Sequence, residues 1–342
     1  MKRHPETRTP GGNRANAEKQ NEHRDHAAAA GNGQVEQIAT SPNLPRRRGK
    51  AASTLDLEMA ILEIVEERAP ITVRGVCYAL FTKGFIPDMS KGSTGKVSRI
   101  MTDMRECDDL DWTQIVDGGR EPVAWAMWDN PDERIRQTVA GYRRNNWQDQ
   151  PLQVEVWSEK STIQGVLEPV LANLGVTFRV MKGFGSFTAV RQAAEDSLDL
   201  PEDKPLVALY LGDWDPSGLY MSEADLPERL DRYGFDGEFK RIALVKDDLD
   251  YLPHFDVETK SSDARYRWFQ GYSHYIGTPT GRCWELDAMD PNDLRERVGA
   301  AIEQHMDMDI WNRALEVEAA ERESMQQFHK AWTNRISGQA KK

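Results

Sequence analysis

The sequence predicts an α/β protein in which a small N-terminal winged-helix domain precedes a parallel, Rossmann-like sheet covered by helices on both faces. Two patterns support this prediction. Residues 53–105 contain three stretches with the apolar spacing of amphipathic helices, and from Leu152 onward short apolar runs alternate with such stretches. Strands that alternate with helices are typical of a parallel sheet. A chain of 342 residues is long enough for both domains.

The net charge of −12 is unevenly distributed along the chain. Residues 1–50 carry ten Lys and Arg against five Asp and Glu, so the remainder is strongly acidic. An acidic body argues against nonspecific coating of DNA but is compatible with a local basic groove. Three widely spaced cysteines indicate neither a disulfide framework nor a metal site. Because no long apolar run or signal-peptide core is present, we expect a reduced, cytoplasmic protein without a membrane span.

The N-terminal part begins with a basic tail, residues 1–50, that we expect to be disordered because it has few apolar side chains. Its PRRRGK run either contacts phosphate or only solubilises the tail. The domain over residues 51–130 follows, with helices predicted near Ser53, Ile71 and Ser93 and then a strand pair in LDWTQIVDGGR. Three helices and a wing make a winged helix-turn-helix, whose last helix commonly enters a DNA groove. A small helical packing domain is the alternative.

The sheet domain is predicted over residues 151–335, after a polar linker helix at residues 131–150 and before a flexible tail at residues 336–342. Its four predicted strands are LQVEVW, VTFRVM, LVALYL and KRIALV. The later segment RYRWFQGYSHY either stacks on nucleic acid or packs its aromatic rings against the sheet. A capped helix from Asn292 and a longer charged helix to about Trp332 complete the domain.

Carboxylates follow two of the predicted strands. Asp213 and Asp215 come directly after LVALYL, and Glu159 follows LQVEVW. Because the carboxyl ends of parallel strands meet at one edge of a sheet, we expect the three side chains to converge. Hard oxygen ligands suit Mg²⁺, with Mn²⁺ as an alternative. Glu159 is alternatively a general acid for a leaving hydroxyl, and its neighbour Lys160 can offset negative charge. Solvated loop acids are the competing interpretation.

A candidate nucleophile lies on the second predicted helix. Tyr78 follows Arg74 by four residues, which places both on one helix face. Arginine can bind phosphate in bidentate fashion, and tyrosine supplies an oxygen nucleophile. A packed aromatic side chain is the alternative, since Cys77, Leu80 and Phe81 surround Tyr78.

Five motifs in this order resemble those of the A subunit of DNA topoisomerase VI and its relative, the meiotic double-strand-break transesterase. That family pairs a winged-helix domain carrying a catalytic tyrosine with a Toprim metal domain, and the resemblance covers roughly residues 55–320. The matched positions are Arg74 and Tyr78; Arg105, Trp112, Asp117 and Arg120; Glu159 and Lys160; Lys182, Gly183 and Phe184; and Asp213, Asp215, Pro216 and Gly218.

The resemblance implies Mg²⁺-dependent cleavage of double-stranded DNA, in which Tyr78 attacks and becomes linked to a 5′ phosphate with help from Arg74 and Glu159. It further implies that Glu159, Asp213 and Asp215 bind the metal. It implies a homodimer in which each tyrosine works with the metal site of the other protomer, and we expect the protein to associate with the nucleoid. The DNA-binding residues of this hypothesis are Lys96, Arg99, Arg105, Arg120, Lys160 and Lys182. The first three of these lie off the apolar stripe of the third predicted helix.

Two positions depart from the family pattern. Cys77 stands where an aromatic residue is usual, and Gly185 stands where a proline is frequent. We identify no ATPase domain, so ATP-dependent strand passage by this type IIB-like subunit would need a separate partner of the gyrase/Hsp90 ATPase type. Two other hypotheses stay open: a Toprim nuclease that uses water, with Tyr78 structural, and a noncatalytic DNA-binding or assembly protein.

Overall fold

A computed structural model describes residues 52–116, 126–181 and 187–339 of the chain. The predicted N-terminal tail lies outside these residues. The helices are α1 (Ala52–Arg68), α2 (Val73–Thr82), α3 (Lys91–Glu106), α4 (Pro131–Ala140), α5 (Thr162–Leu174), α6 (Phe187–Leu198), α7 (Pro216–Tyr220), α8 (Leu226–Arg232), α9 (Tyr266–Ile276), α10 (Pro291–Glu303) and α11 (Met308–Gln339). The strands are β1 (Ile71–Thr72), β2 (Ile115–Val116), β3 (Gln153–Ser158), β4 (Thr177–Val180), β5 (Leu206–Leu211), β6 (Gly237–Ala243), β7 (Phe255–Asp256) and β8 (Arg282–Cys283).

The first three helices share one apolar core. Their buried faces form a single cluster that also includes Ile115 of β2. Thr72 caps α2 by accepting a hydrogen bond from the Gly75 N–H at 2.9 Å, and Ser90 caps α3 in the same way. Side-chain oxygens at these positions satisfy backbone donors that have no partner within the helix. The cap at Ser90 starts α3 at Lys91, slightly earlier than the sequence predicts.

The described part of the segment predicted as a strand pair contains one short strand, and the partner of that strand lies elsewhere. β2 pairs in parallel with β1, with Ile115 opposite Ile71, and the residues Trp112–Gln114 before it form a 3₁₀ turn. Residues 117–120 of the predicted wing lie outside the described residues. The described part of this segment therefore joins the strand in front of α2 instead of folding back on itself, and the winged-helix arrangement stays a prediction.

Four strands form the predicted parallel sheet, in the order β4-β3-β5-β6. All six residues of β5 are buried, which explains its uninterrupted apolar run. Successive side chains on a strand point to opposite faces. One apolar cluster joins Val156 and Leu209 to α5 and α10, and another joins Trp157 and Tyr210 to α6 and α8. The prediction of a mixed α/β fold with a parallel sheet is confirmed.

The strand order creates a crevice at one edge of the sheet. The chain leaves β3 toward β4 on one side, whereas it leaves β5 toward β6 on the other. Connections that diverge from adjacent parallel strands open a crevice beyond their carboxyl ends, where open α/β sheets bind ligands. Glu159 directly follows β3, and Gly212 and Asp213 directly follow β5. The predicted carboxylates therefore border the crevice.

The predicted linker helix at residues 131–150 is shorter than expected. α4 ends at Ala140, and the following residues make tertiary contacts. The Tyr142 hydroxyl donates a hydrogen bond to Glu321 of α11 at 2.7 Å. The buried Trp147 donates its Nε1–H to the Leu174 carbonyl at 2.7 Å. These contacts hold the segment against α5 and α11 in a nonhelical conformation, so the prediction of a helix there is wrong.

The C-terminal region is helical, as predicted. α10 buries Leu294, Val298 and Ile302, and α11 extends to Gln339, so part of the predicted flexible tail is helical. None of the described helices, including the long α11, is apolar enough over a sufficient length to cross a membrane.

Candidate functional site

The turn after β5 holds the paired carboxylates at the crevice. Asp215 caps α7 by accepting a hydrogen bond from the Gly218 N–H at 2.8 Å, and Asp213 accepts one from the Leu286 N–H at 2.7 Å. Glycine is needed at Gly218 because a Cβ there would lie 2.6 Å from the Asp213 carbonyl oxygen. Both carboxylates are buried. The Asp-x-Asp-Pro-x-Gly pattern is thus explained by close backbone contacts around two buried acids.

A segment far along the chain pairs with this turn. Trp214 and Trp284 exchange both backbone hydrogen bonds, each 2.9 Å long. This antiparallel contact brings the residues after Trp284 to the crevice, where Glu285 and Asp287 add two further carboxylates. Five acidic side chains on three neighbouring segments therefore lie at the crevice, whereas the sequence predicts only three acidic side chains there.

Lys160 bridges carboxylates from two of these segments. Its Nζ lies 2.8 Å from Asp213 Oδ1 and 2.8 Å from Asp287 Oδ2. Asp287 also accepts a hydrogen bond from the Thr72 hydroxyl at 2.7 Å. Burial lowers the pKa of Lys160, but the two carboxylates outweigh it and hold the pKa above its ordinary value. Lys160 therefore stays charged and offsets negative charge, as predicted, whereas its DNA-binding role stays a prediction.

Glu159 lies beside the same cluster, and the pKa of its carboxyl group is raised. Burial, followed by the charges of Asp213 and Asp215, raises the pKa of its carboxyl to about 7. A like charge nearby disfavours ionisation in the same direction as loss of solvent does. A carboxyl group that titrates near neutral pH suits general acid or base catalysis.

We expect Glu159 to make the stability of the metal-free protein pH-dependent. Because the folded protein holds this proton more tightly than the unfolded chain, the stabilisation is present below the ordinary pKa of 4.5 and is lost as the pH rises to about 7. Glu159→Gln removes this titration. Denaturant unfolding in a chelator should show that the free energy of unfolding of the wild type falls by ~3 kcal/mol relative to that of the variant as the pH rises from 4.5 to about 7. Parallel pH curves for the two proteins would contradict the prediction.

A second lysine reaches the cluster from outside the sheet. Lys260 ends the 3₁₀ turn Val257–Lys260, and its Nζ lies 3.2 Å from Asp215 Oδ2. Nearby, the Ser217 hydroxyl donates a hydrogen bond to Asp263 at 2.5 Å, which ties the same segment to α7. Each member of the Asp-x-Asp pair is therefore paired with one ammonium group.

The donor chemistry of the crevice fits a divalent cation. The carboxylates of Glu159, Asp213 and Asp215 are hard oxygen ligands of the kind that Mg²⁺ prefers. After burial, the charges of the two aspartates are the next causes that raise the pKa of Glu159. In the described part of the chain, no three His, Cys, Asp or Glu side chains stand together as a ready-made metal site. Lys160 and Lys260 supply the positive charge in this conformation. Metal binding therefore stays a prediction, and it requires these two lysine ammonium groups to move away from the carboxylates.

α2 carries the predicted nucleophile to the same region. Arg74 Nη2 donates to Glu285 Oε1 at 2.6 Å, and its Nε donates to Oε2. The guanidinium carbon of Arg74 lies 5.7 Å from the centre of the Tyr78 ring, as the predicted common helix face requires. Tyr78 is 4% exposed, and burial, followed by the charge of Glu285, raises its pKa although Arg74 and Lys160 oppose the shift. Its phenol is therefore protonated at neutral pH.

The predicted DNA-binding residues differ in exposure. Lys96 and Arg99 are exposed on α3. Arg105 is buried, with its Nε donating to the Met101 carbonyl at 3.3 Å and its guanidinium 4.8 Å from the Trp112 ring. The prediction that Arg105 lies off the buried face is wrong, because its guanidinium bonds the preceding helical turn and lies over an aromatic ring instead of facing solvent. Two other positions in this set, Arg120 and Lys182, lie outside the described residues, as do the motif residues Asp117, Gly183, Phe184 and Gly185.

Arg105→Ala is expected to lower the free energy of unfolding by ~1–2 kcal/mol, because it removes buried packing and a contact with the Trp112 ring. Chemical denaturation measures the change. Arg99→Ala on the exposed side of the same helix is the matched control and should change stability by less than ~0.5 kcal/mol. Equal effects of the two substitutions would show that Arg105 is not part of the core.

The aromatic segment RYRWFQGYSHY forms α9 and packs internally. The rings of Trp268 and Tyr272 stack with centroids 4.8 Å apart, Trp268 meets Tyr220 edge-on at 4.9 Å, and Phe269 is buried. Aromatic pairs at such distances stabilise a core. Of the two interpretations of this segment, the structure favours packing.

Sequence reasoning missed Glu285, Asp287 and Lys260. A signal for the first two exists, because Glu285-x-Asp287 repeats the acid-x-acid spacing of Asp213-x-Asp215 after another short strand, β8. No periodicity marks the segment that carries Lys260.

Comparison with known proteins adds no family assignment: no protein-family model and no curated protein matches the chain.

Proposed function

We propose that the protein cleaves double-stranded DNA by Mg²⁺-dependent tyrosine transesterification, in the manner of a topoisomerase VI A subunit with winged-helix and Toprim domains. One observation carries the proposal. The Arg74–Tyr78 face of α2 meets Glu285, two residues from the Asp287 that shares Lys160 with Asp213. A potential nucleophile, a potential phosphate ligand and a carboxylate cluster are therefore neighbours at a crevice that open α/β sheets use for ligands.

The reaction follows from the chemistry of these side chains. The Tyr78 oxygen attacks phosphorus, a tyrosine–phosphate bond forms, and the bond between phosphorus and the 3′ oxygen breaks. The tyrosine proton passes to a base, and the departing 3′ oxygen gains a proton from a general acid. Glu159 is the candidate for that second transfer, as the alternative to binding the metal, because its carboxyl has a pKa of about 7 in the metal-free protein. Arg74 would bind the phosphate through its bidentate fork.

Glu159, Asp213 and Asp215 would hold the metal, and Mg²⁺ or Mn²⁺ would orient phosphate and stabilise its charge when bound. A homodimer would supply two tyrosines for two strands, and the exposed Lys96 and Arg99 of α3 would contact the DNA backbone. Nucleoid association and a separate gyrase/Hsp90-type ATPase subunit for strand passage belong to the same proposal.

The test is the capture of protein on end-labelled duplex DNA in Mg²⁺ or Mn²⁺, with a chelator as the control. After denaturation, a 5′-phosphotyrosyl intermediate retains 3′-labelled fragments on protein, while 5′-labelled fragments run free with a 3′ hydroxyl. Cleavage without retained label would contradict the proposal.

Mixing the Tyr78→Phe and Asp213→Asn proteins tests whether each tyrosine works with the metal site of the other protomer. In that arrangement a mixed dimer has one complete site, made of the tyrosine of one protomer and the carboxylates of the other, and the mixture recovers cleavage of one strand. If each tyrosine works with the metal site of its own protomer, the mixed dimer has no complete site and no cleavage is recovered.

A second candidate is a Toprim-type nuclease that uses water. The burial of Tyr78 and the resulting rise of its pKa favour this alternative, because a buried, protonated phenol is a poor nucleophile. A water nuclease would lose activity in Asp213→Asn, keep it in Tyr78→Phe, and leave no label on protein.

A further inference from the structure

The Arg74–Glu285 contact occupies the side of Arg74 that would meet a phosphate. Both Glu285 oxygens face the guanidinium, with Nη2 2.6 Å from Oε1 and Nε bonded to Oε2. The side chain of Arg74 is 43% exposed, whereas that of Glu285 is 13% exposed. The arginine is therefore accessible to a ligand from solvent, and its fork is held by a carboxylate from within the protein.

A carboxylate and a phosphodiester present two oxygens to arginine in the same way. Guanidinium binds both with two parallel N–H···O hydrogen bonds, so one group can replace the other without rearrangement of the arginine. The Glu285 carboxylate therefore occupies the position that a phosphate bound to Arg74 would take, next to the Tyr78 ring.

The backbone holds Glu285 in this position. Trp284, immediately before it, is paired with Trp214, and the N–H of Leu286, immediately after it, is bonded to Asp213. The carboxylate can thus leave Arg74 by side-chain rotation alone. Other contacts keep α2 docked when it does, including the Thr72–Asp287 hydrogen bond at 2.7 Å.

We propose that Glu285 is a positioning residue that holds Arg74 in the free protein and competes with the incoming phosphate for its guanidinium. The identity of that phosphate as a DNA phosphodiester rests on the proposed function. DNA binding then requires exchange of one bidentate partner for another. The contact keeps Arg74 oriented beside Tyr78, and it lowers the affinity of Arg74 for any phosphate that does not displace the carboxylate.

A purely structural role for the pair has different consequences. If Arg74 and Glu285 only fasten α2 to the sheet domain, Glu285→Gln weakens that attachment and cannot strengthen binding through Arg74. Competition predicts the opposite, because the neutral amide releases the guanidinium to phosphate. The two roles are separable by binding measurements in which no DNA is cut.

The experiment measures fluorescence anisotropy of a labelled DNA duplex over a range of salt concentrations, in a chelator and with Tyr78→Phe in every protein. Glu285→Gln should bind about tenfold more tightly than the parent, with a salt dependence steeper by about one phosphate contact. Glu228→Gln is the matched control. It removes the same charge from another Arg–Glu pair, the exposed Arg232–Glu228 pair on α8, and should change affinity less than about twofold.

A double-mutant cycle completes the test. In an Arg74→Ala background, Glu285→Gln should have no effect beyond that of Glu228→Gln, because the competitor acts only through Arg74. The proposal is overturned if Glu285→Gln binds no more tightly than the control, if no variant binds DNA, or if the gain persists without Arg74. Absence of covalent adducts in the separate cleavage assay of the protein that keeps Tyr78, together with tighter binding by Glu285→Gln in the binding assay, would overturn only the proposed reaction.

Discussion

Replacing Tyr78 by Phe is expected to reduce covalent protein–DNA adducts by more than about 1,000-fold, because it deletes the hydroxyl oxygen that forms the proposed phosphotyrosyl bond. The substitution keeps the ring, which is 4% exposed. Stability should therefore change by less than ~1.5 kcal/mol, the range for loss of one hydroxyl. The measurement is retention of 3′-labelled DNA on denatured protein, with thermal unfolding run alongside.

Tyr142→Phe is the matched control for this prediction. Its hydroxyl bonds Glu321 of α11, and we place it outside the proposed reaction. It should leave adduct formation within about twofold of the wild type. Adducts that survive in Tyr78→Phe would assign the linkage to another side chain. Cleavage that survives without adducts would favour the water nuclease.

Lys160→Met is expected to lower the free energy of unfolding by ~3 kcal/mol at pH 7 in a chelator. The ammonium lies 2.8 Å from both Asp213 and Asp287, and breaking a buried ion pair leaves uncompensated charge. The methionine keeps most of the side-chain volume, so the change reports on charge more than on packing. The destabilisation should grow as the pH rises, because Glu159 then ionises beside the same carboxylates.

Divalent metal gives this variant a second readout. Millimolar Mg²⁺ or Mn²⁺ should raise the thermal midpoint of Lys160→Met more than that of the wild type, because the ion and the lysine neutralise the same carboxylates. Lys83→Met, which removes an exposed ammonium 3.5 Å from Glu63, is the control and should change stability by less than ~0.5 kcal/mol. A metal response that is equal in all three proteins would show that no ion binds near Lys160.

The sheet and the first carboxylates could be predicted because their signals are local. LVALYL corresponds to β5 without error, since a strand buried on both faces must be apolar throughout. Glu159 and Asp213 follow adjacent parallel strands, and strand direction alone then brings them to one edge.

Predictions failed where a side chain's partner lies outside its own helix or where a helix could end early. Arg105 reads as a surface cation, but its partner Trp112 folds back across it. The sequence pattern predicts a helix over residues 141–150, but Tyr142 and Trp147 form hydrogen bonds with α11 and α5, far along the chain. Local pattern carries no information about such contacts.

The sequence by itself determined the parallel sheet, the edge where ligands would bind and the acids that border it. Only the tertiary structure decided what surrounds those acids. The Trp214–Trp284 pairing brings Glu285 and Asp287 to the crevice across some 70 residues of chain. It thereby joins Arg74 of α2 to the cluster and gives Lys160 its second carboxylate. The physical reason is that strand periodicity follows from burial of each short segment, whereas charge pairing depends on which distant segments meet.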